Sequence, residues 1–244
     1  MTAMVTNDLD RWYYEHQPNN GAHSVEDLRI QFEKASRVYK SMIGEYLPRN
    51  QSGLILDMPC GEGSFIYFLT KTGFNNAKGF DLDQQRIAVG RKLGLPVYVE
   101  DVQHVLDNQE DSSVQCIISM NFVEHVEKID AVNWIQKVFN KLKPGGVFII
   151  TTPSADSPFG NSHIYNDLTH KWAATSSVVY QLLTNCGFSN VKVFGFHPRP
   201  GMRFGLIRCV LFWITAKVIN FCLLPLGHSY KIWSPSMWAV AVKT

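Results

Sequence analysis

Residues 54 to 63 read LILDMPCGEG, and no other stretch limits the fold of this chain so tightly. Leu54, Ile55 and Leu56 form an apolar run short enough to be a buried strand, and Asp57 ends it. Cys60-Gly61-Glu62-Gly63 then turns the chain into a helix start. Strand, glycine turn and helix in succession are how α/β proteins hold a nucleotide-like ligand. Glycine matters there because a Cβ would block close approach of the backbone to the ligand. An ordinary strand-to-helix turn has the same outline, so the surroundings must decide.

Lys78-Gly79-Phe80-Asp81-Leu82-Asp83 reads as a second strand ending in an acid. An acid about 20 residues past the turn can accept both hydroxyls of a ribose. The dinucleotide fingerprint G-x-G-x-x-G is not met by Pro59-Cys60-Gly61-Glu62-Gly63-Ser64. Asp57-Met58-Pro59-Cys60-Gly61-Glu62-Gly63 instead resembles D-x-G-x-G-x-G, the first motif of class I S-adenosylmethionine (SAM) methyltransferases, with Pro59 in place of the first glycine. Proline fixes φ and has no N–H, so Pro59 cannot donate to a ligand. Cys60 and Gly61 are expected to donate instead.

Later segments continue the resemblance in order. Val97 to Val102 is similar to the third strand, and Cys116 to Asn121 to the fourth. Phe122-Val123-Glu124-His125-Val126 resembles the family's V-L-E-H-V, and Leu142-Lys143-Pro144-Gly145-Gly146 its turn into the fifth strand. The resemblance covers roughly residues 40 to 198 and the final strand. It implies SAM as cofactor, with Pro59, Cys60, Gly61 and Gly63 forming the turn and Asp57 holding that turn or the SAM amino group. It further implies Asp81 at the ribose, Leu82, Asp101 and Val102 around the adenine, and Asn121 completing the set.

Alternation along the chain agrees. Short apolar strands are expected at about 54–57, 77–81, 96–100, 114–120 and 146–152, with helices at about 62–72, 84–93, 128–142 and 175–186. Gly73 and Gly187 stand where helix C-caps belong. Residues 191–196 and 237–242 read as two last strands. The expected fold is α/β: a doubly wound, seven-stranded, mostly parallel sheet with an antiparallel last strand and its ligand at the carboxyl ends of the strands. Ser24 caps a helix whose Leu28, Phe32, Ala35, Tyr39, Met42 and Tyr46 share one face. That helix is either a lid over the cofactor or a helix packed on the sheet. The division expected is an N-terminal helical lid over 1–50, a SAM-binding core over 51–198 and 236–244, and an apolar, basic insertion over 199–235.

The insertion has three readings. Arg208 and Lys217 interrupt its apolar run, leaving Cys209 to Ala216 as the longest uncharged piece before Lys217, too short to span a bilayer. Arg199, Arg203, Arg208 and Lys217, interleaved with Phe204, Phe212 and Trp213, suit a helix lying on a membrane surface. A cap over the site and a subunit interface, hence a homo-oligomer, are the other two.

A formal net charge of +2 with scattered Lys and Arg gives no argument for nucleic acid. Five cysteines, odd in number and without a C-x-x-C pair, read as reduced thiols. The polar N-terminus MTAMVTNDLD lacks an apolar signal core, so the expected location is cytoplasmic, at the inner membrane face if the insertion meets lipid.

Methyl transfer to a weakly acidic hydroxyl wants a positioned base, and His serves near neutral pH. Tyr165-Asn166-Asp167-Leu168-Thr169-His170-Lys171-Trp172 resembles the D-x-T-H segment of family members encoded with bacterial surface-polysaccharide and lipopolysaccharide genes. His170 is the expected general base, with Asp167 orienting it or the acceptor. His125, after the fourth strand, is the second candidate, and His163 a weaker one. The remaining histidines read as surface residues. No metal site is expected, because no paired ligand spacing stands out.

The resemblance thus implies a SAM-dependent O-methyltransferase acting on a hydroxyl of a sugar or glycan, lipid-linked or free. A quinone or other small lipophilic acceptor is the first rival. A nicotinamide-dependent oxidoreductase and a non-catalytic methyltransferase-like subunit are the others.

Overall fold

The computed structural model describes residues 24–198, 205–227 and 229–244. Residues 1–23 of the expected lid lie outside the described residues, as do Arg199, Arg203 and Phe204. The chain opens with α1 (Val25–Ile43) and continues through β1 (Ile55–Asp57), α2 (Ser64–Lys71), β2 (Ala77–Asp81) and α3 (Gln84–Lys92). β3 (Val97–Val99), α4 (Val102–Asp107), β4 (Val114–Met120), α5 (Lys128–Lys141) and β5 (Leu142–Pro153) follow. The last third holds α6 (Asn161–Ile164), α7 (Ser176–Asn185), β6 (Ser189–Gly195), α8 (Gly205–Leu223) and β7 (Ser236–Val242).

All seven strands form one sheet in the order β3-β2-β1-β4-β5-β7-β6. The first five pair in parallel, and β7 runs antiparallel to both neighbours. The strand order reverses at β1, so β1 and β4 diverge into their following turns and open a crevice at their carboxyl ends.

Alternation of side chains across the pleat divides the core. Leu56, Ile117 and Phe148 face the layer of α4, α5 and α7, where Trp134, Ile135 and Leu183 are fully buried. Ile55, Ile118, Ile149 and Val240 face the other layer, with Phe65 and Ile66 of α2. Buried on both faces, these strands carry continuous apolar runs.

The first helix shows why the chain folds locally as it does. Ser24 accepts from the Asp27 amide at 3.1 Å, while the Asp27 carboxylate accepts from the Ser24 amide at 3.3 Å. This reciprocal cap satisfies two donors that the first turn would leave open. α1 buries Leu28, Phe32, Met42 and Ile43, and its Tyr39 bonds the Ser64 hydroxyl at 2.9 Å at the start of α2. Its described residues pack on the core and contribute nothing to the crevice lining.

The insertion folds largely as one 19-residue helix, α8, despite Arg208 and Lys217. With the turn that follows, Gly205–Leu226 is long and apolar enough to cross a membrane by length and composition, a property the uncharged run alone concealed. All five cysteines are free; Cys60, Cys116 and Cys186 are buried, whereas Cys222 is exposed.

Candidate active site

The turn after β1 is built from the bottom upward. Asp57, at the end of β1, is fully buried, and neither carboxylate oxygen has a partner among the described residues. Burial pushes its carboxyl well above the usual range, and the nearby Asp81 charge adds to this. The Met58–Pro59 peptide is cis. Gly61 adopts φ +55°, and a Cβ there would meet nothing closer than Arg86 at 3.9 Å, so this backbone faces open space. β2 passes close beneath: a Cβ on Gly79 would lie 2.8 Å from the Cys60 sulfur.

Asp81 ties the turn to β2. One oxygen accepts the Gly61 amide at 2.8 Å and the other the Asp83 amide at 2.9 Å. Burial raises the Asp81 carboxyl while these two bonds lower it, and the net direction is upward. Each oxygen keeps a further lone-pair direction. The sequence reading differs here: the amides of Cys60 and Gly61 do not point free to a ligand. Cys60 donates to the Phe80 carbonyl at 2.9 Å and Gly61 to Asp81, because the turn must satisfy its own donors first. Gly63 also stands back from the crevice, as the φ +83° N-cap of α2 against Val97 and Leu95.

The crevice has a volume of about 1010 Å³. Pro59, Cys60, Gly61, Asp81, Leu82, Asp101, Val102 and Asn121 are among the residues that line it. Asp101 simultaneously caps α4, accepting from Gln103 and His104. Asn121 takes φ +51° at the end of β4, its amide held by Thr151.

His125, Asn166, Asp167 and His170 line the same crevice, as does His163, bonded to Ser236 at 3.0 Å. The loop between β5 and α7 docks on the turn after β4: Lys171 donates its amide to the Glu124 carbonyl at 2.8 Å, and the Trp172 indole donates to Val126 at 2.9 Å. This docking brings His170 to His125, with ring centroids 4.7 Å apart and edge to face.

Each imidazole has one nitrogen anchored. His170 Nδ1 lies 2.9 Å from the Ile164 carbonyl, which can only accept, so His170 donates there. His125 Nδ1 lies 2.7 Å from the Thr169 hydroxyl, which in turn donates to Asp167 at 2.6 Å. In the neutral form of either ring the proton therefore sits on Nδ1 and Nε2 carries the lone pair. Burial first, and the His170 charge second, push His125 down to about 4, so it is neutral at physiological pH. Asp167 therefore orients His125, through Thr169, rather than His170. Thr169 was not singled out from sequence, although its two-residue spacing from Asp167 fits such a turn.

Glu124 sits beneath, 1 % exposed, with both oxygens unpartnered among the described residues and its carboxyl pushed up to about 8 by burial. Contrary to the sequence expectation, Glu124, His125 and His170 offer ligand atoms within 4.8 Å of one another, a set that could hold a metal ion. Only folding joins the loop to the first two residues, so no spacing announces it. His197, expected on the surface, instead packs beside Phe212 at a second cavity.

The residues of the crevice fit SAM. The open backbone at Gly61 and the Asp81 carboxylate complement a nucleoside, and Asp57, buried behind the lining at the base of the same turn with both oxygens unpartnered among the described residues, is an acid left for an ammonium group. Comparison with known proteins agrees with the geometry. The mouse mitochondrial ubiquinone biosynthesis O-methyltransferase is 30% identical over 150 residues, 58% of this chain and 40% of that protein. The chain thus matches less than half of that relative's length. Among solved structures, a SAM-dependent methyltransferase from Archaeoglobus fulgidus superposes with a TM-score of 0.66 at 21% identity, covering 87% of this chain and 96% of that one. A Haemonchus contortus phosphoethanolamine N-methyltransferase 2, solved with S-adenosylhomocysteine, gives a TM-score of 0.58 at 15% identity, over 85% of this chain and 52% of that one. The model of the methyltransferase domain matches residues 29–193, more than half of the chain, and includes the turn after β1 and both crevice histidines, His125 and His170. This chain belongs to the methyltransferase-domain family.

Proposed function

We propose that the chain is a SAM-dependent O-methyltransferase whose acceptor is a hydroxyl on a small lipophilic molecule of the quinone type. The observation that carries this reading is the pair His125 and His170 in the same crevice as the Asp81 turn, each ring anchored through Nδ1 so that Nε2 is left for the acceptor. SAM, when bound, supplies a methyl carbon on a sulfonium leaving group.

The protein's own residues would do the rest. Asp81, Leu82, Asp101 and Val102 hold and orient the nucleoside, and Asp57 faces the ammonium group from below. Asn121 and Pro59 close the floor. Nε2 of His170 takes the proton of the acceptor hydroxyl as the carbon–oxygen bond forms. His125, kept neutral by burial and held by Thr169 and Asp167, fixes the hydroxyl by a second hydrogen bond.

The likeness to the ubiquinone biosynthesis O-methyltransferase favours a ring hydroxyl as acceptor. A sugar or glycan hydroxyl is the second reading, favoured by the polar rim of Asn121, Asn166 and Asp167. Purified protein with methyl-labelled SAM, offered a prenylated catechol and a panel of sugar nucleotides and glycolipids, separates them. Label in the catechol ether supports the first reading, and label only in glycans replaces it with the second. Binding of S-adenosylhomocysteine without transfer to any acceptor would favour a non-catalytic subunit.

A further inference from the structure

Charge is distributed unevenly along this chain. Residues 168–244 contain eight Lys or Arg and no Asp or Glu, whereas residues 1–167 contain 15 and 21. Such asymmetry between the two parts of a chain marks a surface for a polyanionic partner. Lys171, Lys192 and Lys243 are engaged elsewhere, by Glu127, the Tyr46 ring and the Phe139 ring. Arg208, Lys217 and Lys231 are not: among the described residues no acid pairs with them. All three belong to α8 or the segment that returns from it.

α8 also presents its apolar side outward. Leu206, Ile207, Val210, Leu211, Ile214 and Phe221 are each at least 50 % exposed, while only Gly205 and Ala216 are buried. At about 100° per residue those six cover an arc of about 140°. A surface helix of a globular domain turns an arc of that kind toward its core. Here the arc faces away from it, and Lys217 rises from within it on a stem long enough to snorkel.

The contacts of α8 show how it would lie. Cys209 bonds the Pro198 carbonyl at 3.0 Å, Phe212 and Trp213 pack beside His197, and Asn220 exchanges two hydrogen bonds with Tyr230 at 3.1 and 2.8 Å. The helix is therefore tied to the segments that flank it, at His197, Pro198 and Tyr230, and those segments lead back to adjacent strands of one sheet. A spanning helix would need its ends on opposite sides of the bilayer. Lys217 and Lys231 both line an open cavity of about 590 Å³ at α8 and the return segment, together with Phe212, Phe221 and Trp233.

We propose that α8 is an in-plane anchor that docks the protein on an anionic bilayer. Its apolar arc enters the acyl boundary, and Arg208, Lys217 and Lys231 meet the headgroup phosphates. A second copy of the chain fits this surface less well, because it would bring the same unpaired cations against one another.

The test is flotation of the full chain with vesicles of phosphatidylcholine alone and of phosphatidylcholine mixed with phosphatidylglycerol. The protein floats with the mixed vesicles, binds the neutral ones far more weakly, and is released by added salt and by alkaline carbonate. The triple variant Leu206→Ser, Ile214→Ser, Phe221→Ser and the double variant Lys217→Gln, Lys231→Gln each lose about tenfold or more in binding, at an unchanged melting temperature. Absence of flotation, equal flotation of variants and parent, or retention through carbonate would overturn the proposal. So would a vesicle-independent dimer that the triple variant abolishes, which would assign the arc to a second copy.

Discussion

His125 and His170 stand edge to face with ring centroids 4.7 Å apart, and their other contacts hold both rings in one orientation. In the proposed mechanism they have distinct tasks. His170 is anchored on a backbone carbonyl, whereas His125 is anchored on a side-chain relay ending in a carboxylate.

Substitution separates the two tasks. His170→Ala should lower kcat by about 10²- to 10⁴-fold, the usual contribution of a positioned base, with little change in affinity for S-adenosylhomocysteine. Thr169→Val breaks the link between Asp167 and His125 and should lower kcat roughly tenfold with KM almost unchanged. Thr169→Ser should restore the rate. Steady-state kinetics with the acceptor identified by labelling checks all three.

Asp57 links stability to pH. Its carboxyl is raised by burial, so the folded state binds the proton more tightly than the unfolded chain does. The stabilisation is fully present below the ordinary value near pH 4 and is lost as pH rises toward the folded value. Glu124, pushed up to about 8, acts in the same direction. Melting temperature should therefore fall between about pH 5 and pH 8, and Asp57→Asn should flatten part of that slope while weakening SAM binding. Thermal melts of parent and variant across pH, with and without S-adenosylhomocysteine, measure both effects.

The core makes a simpler prediction. Phe148 is 1 % exposed and packs between Trp134 and Phe188, at centroid distances of 5.8 and 5.6 Å. Phe148→Ala should cost about 3–5 kcal/mol, read by urea unfolding, because the strands on either side cannot close the space.

The sheet was legible because its signals are local. Leu54 to Asp57, Gly79 to Asp81 and Cys116 to Met120 are short apolar runs that end where the crevice begins, and the strands lie within a few residues of where the pattern puts them. The acid at position 81 was legible for the same reason. What stayed hidden depends on contacts between distant segments. The Thr169 hydroxyl reaches His125 across 44 residues, and the Lys171 amide reaches the Glu124 carbonyl from the same distant loop. The amides of Cys60 and Gly61 read as free donors in the sequence because their acceptors, the Phe80 carbonyl and the Asp81 carboxylate, lie 20 residues away on β2. α8 was obscured differently: two cations break its composition but not its helix, since Lys and Arg are good helix formers.

Titration calorimetry with S-adenosylhomocysteine tests the central claim, that the turn after β1 holds the cofactor through Asp81. The parent protein should bind one equivalent. Asp81→Asn, which weakens both the tie to Gly61 and the grip on the ribose, should lose roughly a hundredfold in affinity while still melting cooperatively. Undiminished affinity in a folded Asp81→Asn protein would contradict the account.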